Sequence, residues 1–265
     1  MGKVITKLTD AHKGELLTLV EKEKELNLFI IGDIENYGFD KEFIEVWGEF
    51  DENGHMKAVL LSFYKNFIIY SREDFDVLGF VEIMKKNDFK MLSGERSIVE
   101  RFSKHLDIKG KREMYFAKLD NPRSLYEGEL SKKVLKTEQE DIKKLWDLHV
   151  KMNGGRNTQS LEMMEKKYRD RAGRGYHIKN DKYEIVSSAE TGAENASSAM
   201  VMAVATDNNF RGHGYATAVV SQLCRVLLDE GKSLCLFYDN PKAGKIYGRL
   251  GFENIGMWSM WTRED

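Results

Sequence analysis

Length, composition and charge describe an ordinary globular protein and exclude several specialised classes. The chain has 265 residues, which is long for one average domain and sufficient for two domains that each bury a core. Hydrophobic residues make up 42% and charged residues 32%, with a formal net charge of -2, so no overall field favours nucleic acid or a membrane surface as a partner.

Cysteine usage and hydropathy indicate a reducing compartment. Cys224 and Cys235 lie in apolar stretches without metal-ligand spacing, which predicts buried, reduced thiols and no metal site. No stretch approaches the ~18 apolar residues that a membrane-spanning helix needs, and the first residues lack a basic flank followed by an apolar run. The sequence therefore predicts a cytoplasmic protein without a membrane segment.

The first half mixes helical and strand patterns. Apolar residues at helical spacing predict helices at residues 16–20 and 28–37. Residues 51–54 form a turn-forming cluster between two β-like runs, which predicts a hairpin. The remaining predicted elements are a strand at residues 67–70, helices at 75–86 and 95–105, and a strand at 113–119.

A linker is predicted near the middle of the chain. Residues 120–132 combine turn chemistry with low hydrophobicity, which places one domain at residues 1–125 and a second at 132–265. Residues 134–142 weakly repeat the strand, cap and helix pattern of the N-terminus, which indicates two related halves.

The second half alternates helices and strands around one long apolar run. Residues 199–206 are uninterruptedly apolar, which predicts a strand buried on both faces. A helix is predicted to begin at Tyr215, and His177 is expected at the surface. The other predicted elements are a helix at residues 161–171, strands at 183–189 and 234–238, and a short helix that begins after Asn240.

The loop between the apolar strand and the helix at Tyr215 has the features of an anion site. Gly212 and Gly214 let the backbone turn its N–H groups toward one point. The N-terminus of the following helix adds a partial positive charge, and Arg211 can add a fixed one. This combination suits a pyrophosphate.

These residues resemble the acyl-CoA signature of the GNAT superfamily of acetyltransferases. The run from Arg211 to Ala216 is similar to the family pattern Gln/Arg-x-x-Gly-x-Gly/Ala, and a buried strand precedes it. Downstream, Asn240, then Tyr247, then Gly251 with Phe252, resemble the second signature of the family. The resemblance spans about residues 134–261 and is strongest in the last third of the chain.

The resemblance implies a mixed α/β fold of tandem GNAT-like domains, each with a mostly antiparallel sheet flanked by helices. The first half has the same coarse order of elements but lacks the acyl-CoA signature. Tyr247 would protonate the leaving thiolate and is the expected catalytic residue. Acetyl-CoA would be bound by Val204, Thr206, Arg211, Gly212, His213, Gly214, Tyr215, Ala216 and Asn240.

The implied activity is direct transfer of an acetyl group from acetyl-CoA to a primary amine of a small molecule or peptide, by a monomer or homodimer. Glu184 and Glu190 are both possible bases, and strand alternation does not decide between them. Loops at residues 154–157 and 171–175 are expected to set the choice of acceptor. The alternative function is a non-catalytic acyl-CoA-binding or regulatory protein.

Structural roles compete with some of these assignments. Asn240 before Pro241 is also an ordinary helix N-cap, and Tyr247 could serve packing alone. A dinucleotide site is disfavoured because Thr217 occupies its third glycine position and five residues separate the strand from Gly212.

Overall fold

The computed structural model describes residues 4–155, 159–170 and 172–263. The strands are β1 (Val4–Lys7), β2 (Ile44–Phe50), β3 (Met56–Phe63), β4 (Asn66–Ser71), β5 (Met91–Glu95), β6 (Gly110–Leu119), β7 (Leu135–Lys136), β8 (Gly175–Lys179), β9 (Ile185–Gly192), β10 (Ser198–Thr206), β11 (Ser233–Tyr238) and β12 (Glu253–Thr262). The α-helices are α1 (Lys13–Val20), α2 (Leu28–Tyr37), α3 (Val77–Lys86), α4 (Arg96–Glu100), α5 (Ile142–Met152), α6 (Leu161–Arg169), α7 (Tyr215–Asp229) and α8 (Pro241–Arg249).

Two compact units divide the chain. One contains Met1–Phe116 together with Ile255–Asp265, and the other contains Ala117–Asn254. The C-terminal residues belong to the first unit because β12 pairs with β5 there, from Trp258 opposite Glu95 to Thr262 opposite Met91. Domain boundaries at residues 1–125 and 132–265 stay a prediction.

In the first unit, helices cover both faces of a sheet with the strand order β1-β2-β3-β4-β5-β12. Strand β3 explains why helices lie on both faces of the sheet, because its side chains are apolar on both faces. Ala58 and Leu60 pack in one cluster with Phe80 of α3, whereas Val59 packs in another cluster with Leu16 of α1. The pairing is antiparallel apart from β4 with β5, which run parallel.

The second unit has the same two-sided arrangement around the order β11-β10-β9-β8-β7. Val219 and Leu223 of α7 share a cluster with Val186 of β9. Leu145 of α5 shares another cluster with the neighbouring Ile185, whose side chain points the opposite way. Strands β10 and β11 are parallel, whereas β10 with β9, β9 with β8 and β8 with β7 are antiparallel.

The predicted fold class is confirmed: mixed, mostly antiparallel sheets are flanked by helices. Strands β5 and β8 were not predicted, and the helix expected at residues 95–105 is the short α4. Both cysteines are buried free thiols, as predicted. Burial raises the pKa of the Cys224 thiol, which disfavours its reactive thiolate.

The expected surface position of His177 is wrong. His177 is fully buried on β8, with Nδ1 2.9 Å from the Thr137 hydroxyl and Nε2 4.0 Å from an Asp141 carboxylate oxygen. Burial lowers the pKa of His177 to about 4, because the charged imidazolium would lose its hydration. Its neighbours Tyr176 and Ile178 on the opposite face of β8 are buried as well, so this short strand is buried on both faces.

Across residues 4–155, 159–170 and 172–263, no helix is both long and apolar enough to cross a membrane. In the same described ranges, His, Cys, Asp and Glu side chains form no group of three that could hold a metal ion.

Candidate active site

Strands β10 and β11 pair at one end and separate at the other. Their parallel register covers three residue pairs, from Ser198 opposite Ser233 to Met200 opposite Cys235. Strand β10 nevertheless continues to Thr206 and stays paired with β9, where Ala205 lies opposite Ser188. The other edge of β10 beyond Met200 therefore has no partner strand among the described residues, and its backbone groups can pair with a ligand.

A bulge accompanies this separation. The register of β10 against β9 shifts between Met202 and Ala205, and Ala203 has a φ of 51°, which is unusual for a residue with a side chain. The expectation that this strand is buried on both faces is correct for Ala199 to Val201 and wrong from Met202 onward, where the side chains are exposed or half-buried. The strand leaves the core where the two strands part.

The loop that follows β10 is fixed by its own side chains. Asp207 Oδ1 accepts a hydrogen bond from the Asn209 N–H at 3.0 Å, and Asp207 Oδ2 pairs with Lys151. The Arg211 side chain donates to the Thr206 carbonyl at 3.4 Å. His213 Nδ1 lies 3.2 Å from the Phe210 carbonyl oxygen. These contacts hold a loop that changes direction within a few residues.

Two glycines with a left-handed backbone conformation follow in this loop. Gly212 and Gly214 both have a φ of 80°, and a Cβ at Gly212 would meet open space. The first helical bond runs from the Ala218 N–H to the Gly214 carbonyl. In the described structure, the N–H groups of residues 212–217 have no protein acceptor. They lie at the positive end of α7, a helix of 15 residues.

Helix α8 carries the other two predicted site residues. The Asn240 side chain caps the helix by accepting from the Lys242 N–H at 2.9 Å, and Pro241 follows it, so its structural role is present. Tyr247 is 9% exposed, and its ring centroid lies 5.8 Å from those of Tyr238 and Phe252. Burial, and to a smaller extent the Cys224 thiol, raise the pKa of Tyr247 to about 12.

A cavity of about 390 Å³ opens beside the bulged part of β10. It brings together three of the predicted cofactor residues, Val204, Thr206 and Arg211. Gly212 to Ala216 continue from its rim, while Asn240 and Tyr247 do not line it. Val204 and Tyr247 share one hydrophobic cluster. The other lining residues are His149, Met152, Asn153, Gln159, Lys167, Glu190, Met202, Ala203 and Ala205.

The structure distinguishes the two glutamates that the sequence left open. Glu184 is exposed and accepts a hydrogen bond from the Asn180 side chain. Glu190 is 2% exposed, lines the cavity, and pairs with Lys167 at 2.9 Å. Of the two, Glu190 is therefore the one that can act on a bound molecule.

Sequence reasoning missed His149, Lys167 and Tyr168, which surround Glu190. His149 follows Ile142 and Leu145 at helical spacing on the buried face of α5, so a polar residue in an apolar stripe was the available signal. Of the loops expected to select the acceptor, Arg156, Asn157 and Arg171 lie outside the described residues.

Comparison with known proteins identifies the family and the fold. The family model described as GNAT acetyltransferase matches residues 82–261. No curated protein matches the chain.

Solved structures of low sequence identity share the fold. A tandem GNAT protein from the clavulanic acid biosynthesis pathway is 14% identical with a TM-score of 0.63, covering 98% of both chains. A protein from Drosophila is 11% identical with a TM-score of 0.71, covering 100% of both chains. A GNAT-family protein from Novosphingobium aromaticivorans is 16% identical with a TM-score of 0.50, and the match spans 58% of this chain and 65% of that one. The tandem fold is therefore as predicted, and the chain belongs to the GNAT acetyltransferase family.

Proposed function

We propose that this protein transfers the acetyl group of acetyl-CoA to a primary amine of a small molecule or peptide. One observation carries the proposal: the unpaired edge of β10 leads directly into the free N–H groups of residues 212–217. The strand edge offers backbone amide partners to the pantetheine arm of acetyl-CoA. The N–H groups of residues 212–217 and the α7 dipole suit the pyrophosphate of the same molecule. Val204 and Thr206 would supply the edge, and residues 211–216 the anion contacts.

Tyr247 is the proposed acid that protonates the leaving thiolate. Its raised pKa keeps the phenol protonated at neutral pH, which an acid requires. The ring is held between Tyr238 and Phe252, so its position is restricted before the reaction begins. A backbone N–H of β10 would meet the developing oxyanion, a kind of donor whose loss costs about 3–4 kcal/mol elsewhere.

The cavity favours a small acceptor. Its volume of about 390 Å³ lies within the range of small-molecule sites, and it is lined by both apolar and charged side chains. An aliphatic amine near neutral pH is almost wholly protonated, so presenting its free base costs roughly 4–5 kcal/mol unless the site removes the proton. The reaction therefore needs a base as well as an acid.

Isothermal titration of acetyl-CoA and of NADH into the purified chain tests the proposal. We expect micromolar binding of acetyl-CoA, no binding of NADH, and loss of binding in Gly214→Trp, which fills the anion loop. Gly231→Trp is the matched control, because Gly231 has a φ of 81°, lies beyond the opposite end of α7, and has open space around it.

Three results would contradict the proposed acetyl transfer or favour a different function. Silence toward acetyl-CoA would refute the enzyme. Binding of NADH that Gly214→Trp abolishes would establish a dinucleotide site. Binding of acetyl-CoA without transfer to any member of an amine library would favour the non-catalytic alternative.

A further inference from the structure

The cavity contains a buried cluster of polar side chains that the proposed cofactor contacts do not use. His149 and Glu190 are 7% and 2% exposed, and His149 Nε2 lies 3.5 Å from Glu190 Oε1. The same nitrogen lies 3.2 Å from the Ser188 hydroxyl. Both His149 and Glu190 line the cavity together with the bulged residues of β10. A buried histidine and carboxylate thus line the same cavity as the part of β10 that we assign to the acetyl donor.

The second oxygen of Glu190 is already engaged. Lys167 Nζ donates to Oε2 at 2.9 Å, and the Tyr168 hydroxyl donates to the same atom at 3.2 Å. The Lys167 ammonium and the Tyr168 hydroxyl therefore satisfy this oxygen and hold the orientation of the carboxylate. Because Glu190 Oε1 remains directed at His149, the carboxylate can stabilise an imidazolium.

His149 is the neutral partner in this cluster. Burial lowers the pKa of His149, the Glu190 charge opposes that shift, and the Lys167 charge adds to it. The imidazole is therefore uncharged at neutral pH and has a lone pair on one ring nitrogen in either tautomer. The charged or titratable groups that face it are Glu190 from β9 and Lys167 from α6, with Tyr168 beyond Glu190.

We infer that His149 is the general base that deprotonates the acceptor amine, and that Glu190 is a positioning residue that stabilises the resulting imidazolium. The inference rests on the proposed acetyltransferase function and adds the base that the reaction needs. It places the acceptor in the cavity between α5, α6, β9 and β10.

The proposed proton transfers balance. The imidazole of His149 takes one proton from the acceptor ammonium, and the free nitrogen then attacks the thioester carbonyl carbon. The carbon–sulfur bond breaks, and Tyr247 gives its proton to the leaving thiolate. The remaining excess proton on the nitrogen returns to the Tyr247 oxygen through solvent, and His149 releases its own proton to solvent. The products are the amide, the free thiol and one proton.

Two probe amines separate proton removal from packing. Propylamine is protonated at neutral pH and needs a base, whereas methoxyamine is largely unprotonated and does not. With saturating acetyl-CoA and thiol release as the readout, His149→Gln should lower kcat/KM for propylamine about 100-fold at pH 7. For methoxyamine the loss should be less than about fivefold. His55→Gln is the control, since His55 is exposed in the first unit.

The pH profile gives a second signature. In the wild type, kcat/KM for propylamine should rise with pH and level off below the pH at which an ordinary histidine titrates, because burial lowers the pKa of His149 and leaves the imidazole neutral there. In His149→Gln it should keep rising about tenfold per pH unit, because the free amine alone reacts. A merely structural histidine would not change the shape of the profile.

A direct titration keeps the inference testable if the variant does not fold. Ring-proton NMR of the wild type without acetyl-CoA should show His149 titrating below pH 6.5. Glu190→Gln should lower the pKa of His149 further, because it removes the attraction of the carboxylate.

Several results would overturn the inference. These are equal losses with both amines, or a pKa of His149 above 6.5. Wild-type protein that binds acetyl-CoA but transfers acetyl to no amine would count against the proposed transfer activity itself. Failure to bind acetyl-CoA at all would instead refute the proposed function, so the two failures are distinguishable.

Discussion

Tyr247 is expected to affect chemistry more than binding. Its phenol is buried, and its pKa of about 12 means that it keeps its proton until the solution is strongly alkaline. Tyr247→Phe removes the proton but keeps the ring that packs against Tyr238 and Phe252. We expect kcat to fall about 100-fold while the Kd for acetyl-CoA changes less than about twofold.

Steady-state kinetics and titration calorimetry measure these two quantities. Tyr183→Phe is the control, because Tyr183 is 73% exposed and is not among the residues that line the cavity. Loss of activity of wild-type protein between pH 8 and pH 10 would not come from Tyr247, since a raised pKa moves phenol ionisation upward. An unchanged kcat in Tyr247→Phe would remove the residue from the mechanism.

Single residues show what a sequence can and cannot reveal about this site. The spacing of Arg211, Gly212 and Gly214 between a strand and a helix predicted the anion loop, because that geometry depends on local backbone conformation. The cluster of His149 and Glu190 joins residues 41 positions apart on a helix and a strand. No local pattern encodes such a pair, and the positions of α5 against β9 had to be known first.

At the scale of elements, β10 departs from the simple reading of its sequence. An apolar run predicts burial on both faces, yet the bulge turns residues after Val201 out of the core. Alanine at position 203 adopts a φ of 51° that its side chain disfavours. The apolar character of the run fits a surface that a ligand would cover, which hydropathy alone does not separate from a protein core.

The backbone conformation at the bulge is expected to affect both the stability of the protein and its affinity for acetyl-CoA. A β-branched residue at a positive φ is more strained than alanine, so Ala203→Val should lower the free energy of unfolding by about 1–2 kcal/mol. Acetyl-CoA affinity should fall about tenfold as the strand edge moves. Ala203→Gly, which permits the conformation, should preserve both properties. Urea denaturation and calorimetry measure them.

Met202→Val is the matched control for Ala203→Val and Ala203→Gly. Met202 is exposed and adjacent, and it is not among the residues with a positive φ. If Met202→Val and Ala203→Val had equal effects, the strain at Ala203 would not be what shapes the strand edge.

At the scale of the whole molecule, each unit contains a short pair of parallel strands, but the two units differ at the N-terminus of the helix between those strands. Strands β4 and β5 run parallel over three residue pairs, as β10 and β11 do. In the first unit, however, an Asp76 carboxylate oxygen accepts from the Gly79 N–H at 3.1 Å at the start of α3. Glu49 Oε2 accepts from the Asp76 N–H at 2.6 Å. Protein carboxylates thus accept hydrogen bonds from backbone N–H groups at the start of α3. Among the described residues, the N–H groups at the start of α7 have no such acceptor.

The sequence showed that the first half lacks the signature, but not what replaces it. Asp76 is an ordinary helix cap in the sequence, and Glu49 lies 27 positions away on β2. Their convergence depends on the packing of α3 against the sheet. Glu49 is paired with Lys57 at 2.9 Å, so the Asp76 carboxylate is the group at this helix N-terminus that would repel a pyrophosphate, because like charges at short range oppose each other.

Acetyl-CoA should therefore bind at one site per chain, in the second unit. Titration calorimetry of wild-type protein should give a stoichiometry of one, and Gly214→Trp should remove all of the heat. Asp76→Asn tests the role of charge in the first unit: it keeps a capping side chain, and Glu49 still occupies the Asp76 N–H. The stoichiometry in Asp76→Asn should stay at one. A stoichiometry of two in the wild type, or heat that survives Gly214→Trp, would mean that the first unit also binds the cofactor and that its carboxylates do not exclude it.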